Sequence, residues 1–429
     1  MFSKETYMAR RAKLKQTIGS GLLLFLGNDE SGMNYADNTY HFRQDSTFLY
    51  FFGLPYAGLS AIIDIDNDKE IIFGDELTID AIVWMGTQPT LKEKSEAAGI
   101  KEVRPFKEIE TYLKNAQQKG QPIHYLPTYR AEHQIKLFQW LGIVPGAEKP
   151  SVPFIMGVVN QRNYKSEEEI AEIEKACIVT ADMHLTAMRT VRPGIRESDV
   201  AAAVAEVAFA NNYQLSFPII ATINGQTLHN HDHSHMIKSG DMLLLDAGAE
   251  TEMGYAGDMS STIPADSKFT TRQKDIYDIQ VAAHEAAVAA LRPGIPFVDV
   301  YELSCKVIME GLKDLGFVKG DPMEAVKAGA HAMFMPCGLG HMMGLDVHDM
   351  ENLGEVYVGY DGQPKSTEFG RKSLRLGRKL EPGFVLTIEP GVYFIPGIRN
   401  EEDYLITENG ARLLGKKIPL RTEEVEAIR

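Results

Sequence analysis

The alternation of apolar and polar residues over the first 150 positions predicts short strands mixed with helices. Apolar runs of strand length, rich in aromatic and β-branched residues, lie at 22–26, 48–54, 61–65, 71–73 and 79–84. Apolar residues return at helical spacing in three further segments, at 4–18, 106–114 and 131–141. Pro and Gly are concentrated between residues 145 and 153 and end this pattern. We therefore predict an N-terminal α/β domain over residues 1–160.

The second predicted domain, residues 161–429, opens with a helix start signal and contains a repeat. Ser166 followed by Glu169 is a capping box, and helical periodicity continues to about residue 189. The tetrapeptide Arg-Pro-Gly-Ile begins at residue 192 and again at residue 292, with Asp-Val at the same distance after each copy. Such a repeat indicates an internal duplication, which predicts two similar halves about a pseudo-twofold axis.

The two halves also place carboxylates at equal spacing. An apolar strand leads to Asp246 in one half and to Glu389 in the other, and Asp258 and Glu401 each follow after twelve residues. The intervening turns are rich in Gly or Pro, so each segment predicts a β-hairpin. The arms of a hairpin lie about 5 Å apart, which allows its two carboxylates to face each other. Two packed hairpins would then gather four carboxylates in one place.

Four carboxylates in a partly buried site repel one another and are costly to desolvate, so the pattern indicates bound cations. Three histidines are candidates to join them: His341 after a Gly-rich approach, His348 seven residues later, and His229 before the first hairpin. Carboxylates with one imidazole favour hard or borderline divalent ions such as Mn²⁺, with Co²⁺, Fe²⁺ or Zn²⁺ as alternatives. Two ions bridged by carboxylates suit hydrolysis by a bridging hydroxide.

Composition and charge indicate a globular protein and restrict its expected partners and cellular compartment. The chain has 429 residues, of which 44% are apolar and 24% charged, as in ordinary globular proteins. Its formal net charge of −15 disfavours nucleic acid and anionic membrane surfaces as partners. Three cysteines without paired spacing and the lack of a long apolar run favour a cytoplasmic protein that does not span a membrane.

Several motifs resemble those of the pita-bread metallopeptidases, the aminopeptidase P and prolidase family. They are Leu-Leu-Asp-Ala-Gly, Gly-Asp-Met-Ser-Ser-Thr, Gly-Leu-Gly-His-x-x-Gly-Leu-Asp-Val-His-Asp, Thr-Ile-Glu-Pro-Gly-Val-Tyr and Gly-Ile-Arg-x-Glu. The segment 41–53, which contains His-Phe-Arg-Gln-Asp-Ser, resembles the N-terminal domain of aminopeptidase P. The resemblance covers almost the whole chain. It implies an α/β N-terminal domain followed by an α+β pita-bread catalytic domain with a pseudo-twofold repeat.

The resemblance also implies a set of ligands for two metal ions, usually manganese. In this set Asp258 and Glu401 bridge the ions, Asp246 completes one of them, and His341 with Glu389 completes the other. The family's last ligand stands two residues after an Arg, which selects Glu401 rather than its neighbour. The equal spacing of the carboxylates selects the same residue.

The implied reaction is removal of an N-terminal residue that precedes proline, from peptides with proline in second position. Glu389 is the expected general base and proton carrier. His229 and His348 resemble the family's substrate-contacting histidines, and Arg399 is a further candidate because it lies inside a shared motif. Assembly into a homodimer or homotetramer is expected from the same resemblance.

Alternatives remain open at this stage. The nearest is a prolidase restricted to Xaa-Pro dipeptides, and a more distant one is a pita-bread binding protein without catalysis. The chain also departs from many relatives at Cys337, where they have His four residues before the ligand His. A thiol is a weaker hydrogen-bond donor than an imidazole, so Cys337 leaves the metal ligands untouched and predicts altered substrate contacts beside the metal centre.

Overall fold

A computed structural model describes residues 1–393 and 396–428. It divides into two compact units, Met1–Arg162 and Asn163–Arg429. Among the described residues, no helix combines the length and the apolar composition that a membrane span requires.

The first unit is an α/β fold around one mixed sheet. Its elements are α1 (Lys4–Ile18), β1 (Leu22–Leu26), α2 (Ser46–Phe52), β2 (Ser60–Asp64), β3 (Lys69–Phe73), α3 (Ile79–Met85), α4 (Leu91–Ala97), β4 (Glu102–Arg104), α5 (Glu108–Gln118), β5 (Ile123–His124), α6 (Ala131–Leu141) and α7 (Val152–Arg162). The strand order is β4-β3-β2-β1-β5. Strand β1 is antiparallel to β2 and parallel to β5. Helices α5 and α6 supply Leu113, Leu137 and Trp140 to a core that also contains Leu24 and Ile62 of the sheet.

Most of the elements predicted in this unit are confirmed, but two predicted strands are wrong. The run 48–54 is the helix α2, because the carboxylate of Asp45 accepts a hydrogen bond from the Phe48 N–H (2.8 Å) and Gly53 ends the helix with φ 65°. Every residue of α2 is buried, so its sequence lacks the polar face that reveals a helical period. The run 79–84 lies in α3, which is capped by Thr78 and buries none of its residues.

The second unit contains the duplicated part of the chain. Its elements are α8 (Glu167–Thr190), α9 (Glu197–Ala210), β6 (Gln214–Leu215), β7 (Ile220–Thr222), β8 (Met242–Ala247), β9 (Ala249–Glu250), β10 (Met259–Pro264), α10 (Thr271–Ala290), α11 (Phe297–Asp314), α12 (Pro322–Lys327), α13 (Glu355–Val358), β11 (Val385–Ile388), β12 (Gly391–Tyr393), β13 (Gly397–Arg399), β14 (Glu402–Thr407), β15 (Gly410–Leu413) and α14 (Thr422–Ile428), with 3₁₀ turns at Ala330–Met333 and Glu351–Leu353. The two larger sheets have the orders β10-β8-β7 and β11-β14-β15. Helix α8 packs on β8 and β10, and α10 packs on β11, β12 and β13.

The repeated tetrapeptide makes the same hydrogen bonds in both halves. It joins α8 to α9 and α10 to α11, and its glycine has a positive φ in each copy (90° at Gly194 and 83° at Gly294). The Gly194 N–H donates to the carbonyl of Ile237 (2.9 Å), and the Gly294 N–H donates to the carbonyl of Leu380 (2.8 Å). The two acceptors are equivalent. Ile237 lies three positions before Gly240 and Leu380 lies three before Gly383, the glycines that precede the strands leading to Asp246 and Glu389. The predicted internal duplication is therefore confirmed.

Candidate metal centre

The five residues predicted as metal ligands line one cavity of about 240 Å³ in the second unit. Asp246 lies in β8 and Asp258 directly precedes β10, while Glu389 directly follows β11 and Glu401 directly precedes β14. His341 comes from the segment before β11, where its N–H and carbonyl both bond to Thr387 (3.2 and 3.0 Å). The fold thus brings together residues that are up to 155 positions apart in the chain.

The two hairpins differ in register, although their carboxylates have equal spacing. Ile388 pairs with Glu402 and Gly391 pairs with Arg399, so the continuous register places Glu389 opposite Glu401, as the hairpin prediction expects. In the first hairpin Asp246 pairs with Ser260, so Asp258 lies two residues from the position opposite Asp246. Residues two apart on a strand point to the same face. Both arrangements therefore present their carboxylates on one face, directly opposed in the second hairpin and diagonal in the first.

The ligand atoms of three residues are close enough to share one cation. Asp258, His341 and Glu401 each offer an atom within 4.8 Å of the other two. The Nε2 atom of His341 lies 3.4 Å from Oδ2 of Asp258 and 3.7 Å from Oε1 of Glu389. Its Nδ1 lies 3.1 Å from the carbonyl of Met342. A proton on Nδ1 would leave the Nε2 lone pair directed at the cavity, which is the usual arrangement of a metal-binding histidine.

Burial and the charges of neighbouring carboxylates raise the pKa values of three carboxyl groups in this cluster, those of Asp258, Glu389 and Glu401. Burial is the main cause of a strongly raised pKa at Asp258, with Asp246 adding to it. The pKa of Glu401 is also strongly raised, first by burial and then by the charge of Asp258. Burial also raises the pKa of Glu389, and the neighbouring His341 opposes that effect. The carboxyl cluster therefore requires protons or cations to balance its charge.

The donor set fits divalent metal ions. Oδ1 of Asp246 and Oδ1 of Asp258 are buried, and neither has a hydrogen-bond partner among the residues that the structure describes. Buried carboxylate oxygens are normally paired, so two unpaired ones that line the same cavity are open ligand positions. Carboxylate oxygens with one imidazole nitrogen are the donors that Mn²⁺ and similar ions accept. Asp246, Asp258, His341, Glu389 and Glu401 can together hold such ions.

Arg399 contacts this carboxyl cluster, and protein groups accept the hydrogen bonds of its guanidinium. It forms an ion pair with Asp246, donates to the hydroxyl of Ser260 (2.9 Å) and donates to the hydroxyl of Tyr393 (3.2 Å). Burial lowers the pKa of Arg399, but Tyr393 and Asp246 more than offset this, so the pKa is raised and the group stays charged. The contacts make Arg399 a partner of Asp246.

His229 and His348 both line the cavity, as their predicted contact with substrate requires. The ring of His348 lies 4.1 Å from that of His341, and its Nδ1 lies 2.7 Å from Nη1 of Arg375 and 2.6 Å from Oε2 of Glu351. Burial, together with His341 and Arg375, lowers the pKa of His348 to about 2. A neutral His348 carries one ring N–H: with the proton on Nε2, Nδ1 accepts from Arg375 and Nε2 is a donor, whereas a proton on Nδ1 would be donated to Glu351.

Sequence analysis did not single out three residues that complete the centre: Ser260, Tyr393 and Arg375. The Ser260 hydroxyl donates to Oε2 of Glu401 (2.8 Å), and the two residues are joined by a bridge between the hairpins. Ser260 stands two residues after Asp258 inside a shared motif, so strand periodicity could have found it. Cys337 contacts the Tyr393 hydroxyl (Sγ to Oη 3.5 Å) and lines an adjoining cavity of about 310 Å³ with Arg375.

Comparison with known proteins identifies the family. Residues 171–408, more than half of the chain, match the sequence model of Metallopeptidase family M24. The chain belongs to this family. Residues 7–124 match the aminopeptidase P N-terminal domain, which confirms the resemblance noted for the first unit.

Relatives of this family support the same architecture along the whole chain. The Xaa-Pro aminopeptidase of Escherichia coli K12 is 32% identical, and the match covers 99% of this chain and 98% of the relative. The human Xaa-Pro dipeptidase is 27% identical, with 98% and 91% covered. The structure of E. coli aminopeptidase P with the inhibitor Pro-Leu superposes with a TM-score of 0.85 at 30% identity and covers 100% of this chain and 98% of that one. The predicted pita-bread fold is confirmed.

Proposed function

We propose that this M24 protein is a metal-dependent Xaa-Pro aminopeptidase, which hydrolyses the bond between an N-terminal residue and a following proline. The observation that carries the proposal is the convergence of Asp246, Asp258, His341, Glu389 and Glu401 in one cavity. The E. coli relative, which matches along its whole length, bears the name of this activity. The proposed division into domains, 1–160 and 161–429, assigns all five residues to the second.

The five residues would hold two divalent ions, for which we propose Mn²⁺. Asp258 and Glu401 would bridge the ions, Asp246 would complete one of them, and His341 with Glu389 would complete the other. When bound, such ions stabilise negative charge on the reacting oxygen and lower the pKa of a water molecule. Arg399 and Ser260 would hold the carboxylates of Asp246 and Glu401 in place through the hydrogen bonds described above.

Glu389 is our choice for the proton carrier. It keeps 19% of its side chain exposed to the cavity, and its raised pKa suits a group that must take a proton and later release it. The proton would pass from the attacking water to the leaving proline nitrogen. His229 and His348 would donate hydrogen bonds to the substrate carbonyl as negative charge develops on it.

An Xaa-Pro bond suits this kind of centre. The proline nitrogen carries no hydrogen, so a site that recognises the scissile amide through its N–H cannot bind it. In the proposed centre, His229 and His348 would hold the substrate carbonyl instead. The cavity therefore does not depend on the donor that proline lacks.

Metal content and substrate length test the proposal together. We expect the purified protein to bind two Mn²⁺ per chain and to release the first residue of Xaa-Pro-Yaa-Zaa peptides. Cleavage of Xaa-Pro dipeptides alone would favour the alternative, a prolidase. The 27% identity to the human Xaa-Pro dipeptidase supports this alternative. Binding of metal without cleavage of either peptide would support a non-catalytic binding protein.

We further propose that the protein works in the cytoplasm as a homodimer or homotetramer. The net charge of −15 supports peptides rather than nucleic acid or anionic membranes as its partners. Light scattering of the purified protein would determine the number of subunits.

A further inference from the structure

A pair of buried amides, Gln280 and Asn400, lies directly behind the ligand-bearing strands. Gln280 comes from α10, and Asn400 immediately precedes Glu401. Both side chains are buried, with 0% and 3% of their surface exposed. Neither lines the cavity that contains the five predicted ligands, so neither is expected to touch substrate.

Gln280 ties together the backbone segments that carry Glu389 and Glu401. Its Nε2 donates to the carbonyl of Pro390 (2.7 Å) and to the carbonyl of Asn400 (3.2 Å). Pro390 follows Glu389, and Asn400 precedes Glu401, so one side-chain amide holds the peptide groups beside both ligands. Its Oε1 accepts from Nδ2 of Asn400 (2.5 Å), which fixes the orientation of the amide.

Asn400 extends this connection to the first hairpin. Its Oδ1 accepts from the N–H of Thr262 in β10 (3.1 Å) and from the hydroxyl of Tyr277 in α10 (3.1 Å). Strand β10 directly follows Asp258. The amide pair is thus hydrogen-bonded to backbone adjacent to the two ligands of the second hairpin and to the strand that follows Asp258 in the first, four residues beyond that ligand.

The equivalent position in the first half has a weaker connection. Gln280 lies twelve residues before the second Arg-Pro-Gly-Ile, and Thr180 lies twelve residues before the first. Thr180 accepts a hydrogen bond from the N–H of Ala249 (2.9 Å), which is two residues beyond the strand that contains Asp246. The Thr180 hydroxyl thus makes one hydrogen bond to the backbone, whereas the Gln280 amide at the equivalent position makes two.

We infer that Gln280, with Asn400, is a positioning residue that sets the separation of Glu389 and Glu401 and thereby the affinity of the ion they share. This inference rests on the proposed metal centre. Groups that orient metal ligands from behind contribute about 10–100-fold to metal affinity in other metalloproteins. Loss of the amide should therefore weaken one of two bound ions more than the other.

The test is calorimetric titration of the metal-free protein with Mn²⁺, together with electron paramagnetic resonance of the loaded protein. Gln280→Met keeps the size of the side chain and removes its hydrogen bonds. We expect one of the two Mn²⁺ sites to lose about tenfold or more in affinity, and the spectrum of a coupled ion pair to give way to that of a single ion. Among the described residues, the buried amide of Gln161 bonds to the carbonyl of Gly157 in its own helix (3.4 Å), and it supplies the control Gln161→Met.

A second variant covers the case in which Gln280→Met does not fold. Gln280→Glu keeps the shape and the oxygen that accepts from Asn400 but retains at most one donor, so it should weaken the same site. Unchanged Mn²⁺ affinity and an unchanged coupled spectrum in a folded Gln280 variant would overturn the inference while leaving the proposed function intact. Failure of the unaltered protein to bind Mn²⁺ would overturn the proposed function itself.

Discussion

The two hairpins of the second unit have the same carboxylate spacing, but their side chains have different partners. Asp246 in the first hairpin is paired with the guanidinium of Arg399. Its counterpart in the second hairpin, Glu389, has no such ion pair among the described residues, faces His341 at 3.7 Å and remains 19% exposed. A duplicated backbone thus delivers equivalent carboxylates into different surroundings. Under the proposed function Asp246 would anchor the centre, whereas Glu389 would be free to carry a proton.

The largest expected effect comes from the carboxylates that the two hairpins have in common. Asp258→Asn and Glu401→Gln should each lower kcat/KM by about 10³-fold or more, because each removes a bridging charge that stabilises the reacting oxygen. Measurement of kcat/KM with an Xaa-Pro-Yaa-Zaa peptide and of bound metal would check this. Retained metal and activity in either variant would show that the two hairpins do not contribute equivalent bridging ligands.

Substitution of the two non-bridging carboxylates should distinguish the roles of the two hairpins. We expect Glu389→Gln to lower kcat by about 10²–10⁴-fold through loss of the proton carrier, and Asp246→Asn to act mainly through weaker metal binding. Activity measured against Mn²⁺ concentration distinguishes them, since excess metal should restore Asp246→Asn and not Glu389→Gln. Restoration of both by metal would remove the distinction that we draw.

Arg399 should contribute most to the free energy of unfolding when the centre contains no metal. Arg399→Met leaves Asp246 buried and unpaired, which for a buried ion pair costs about 3–5 kcal/mol of unfolding free energy. Bound Mn²⁺ would supply a substitute positive charge, so the destabilisation should shrink in its presence. Chemical denaturation with and without Mn²⁺ measures both values, and an equal loss in the two conditions would contradict the proposed pairing.

The raised pKa values predict a pH dependence confined to the metal-free protein. Burial raises the pKa of Asp403 to about 7, and it raises those of Asp258 and Glu401 strongly. Above about pH 4 the unfolded chain releases these protons while the folded chain keeps them, so these carboxyl groups contribute stability that is lost as pH rises toward 7 and beyond. The lowered pKa values of buried His184 and His284 and of His348 act in the opposite direction below about pH 6.5. We expect Tm of the metal-free protein to decrease from pH 7 to pH 8, where the histidines are neutral in both states. Mn²⁺ should raise Tm more at pH 8 than at pH 5.

The smallest expected effect concerns the wall of the adjoining cavity. Cys337→His would introduce the residue that the family resemblance implies at this position and place an imidazole near the Tyr393 hydroxyl. A new donor at the edge of the cavity should change KM for Xaa-Pro-Yaa-Zaa peptides several-fold, about 1 kcal/mol for one hydrogen bond, with bound metal unchanged. Cys337→Ser is the matched control for removal of the thiol.

Sequence alone predicted the features that depend on local chemistry and on repetition. The helices α1 and α6, the strand β1 and the capping box at Ser166 follow from neighbouring residues, and all are present. The duplication and the convergence of the four carboxylates followed from equal spacing, because a repeated sequence must fold into similar halves. The family motifs added the assignment of those residues to two ions.

Tertiary structure decided what spacing cannot specify. The apolar run 48–54 became a helix because its surroundings bury it on every side, and a segment without a polar face is ambiguous between helix and strand. The register that opposes Glu389 to Glu401 but offsets Asp258 from Asp246 depends on which strand residues pair, and equal spacing along the chain does not set that pairing. The contacts of Arg399 with Asp246 and of Gln280 with Asn400 join residues more than 100 positions apart, and only the folded chain brings such distant polar groups into hydrogen-bond distance.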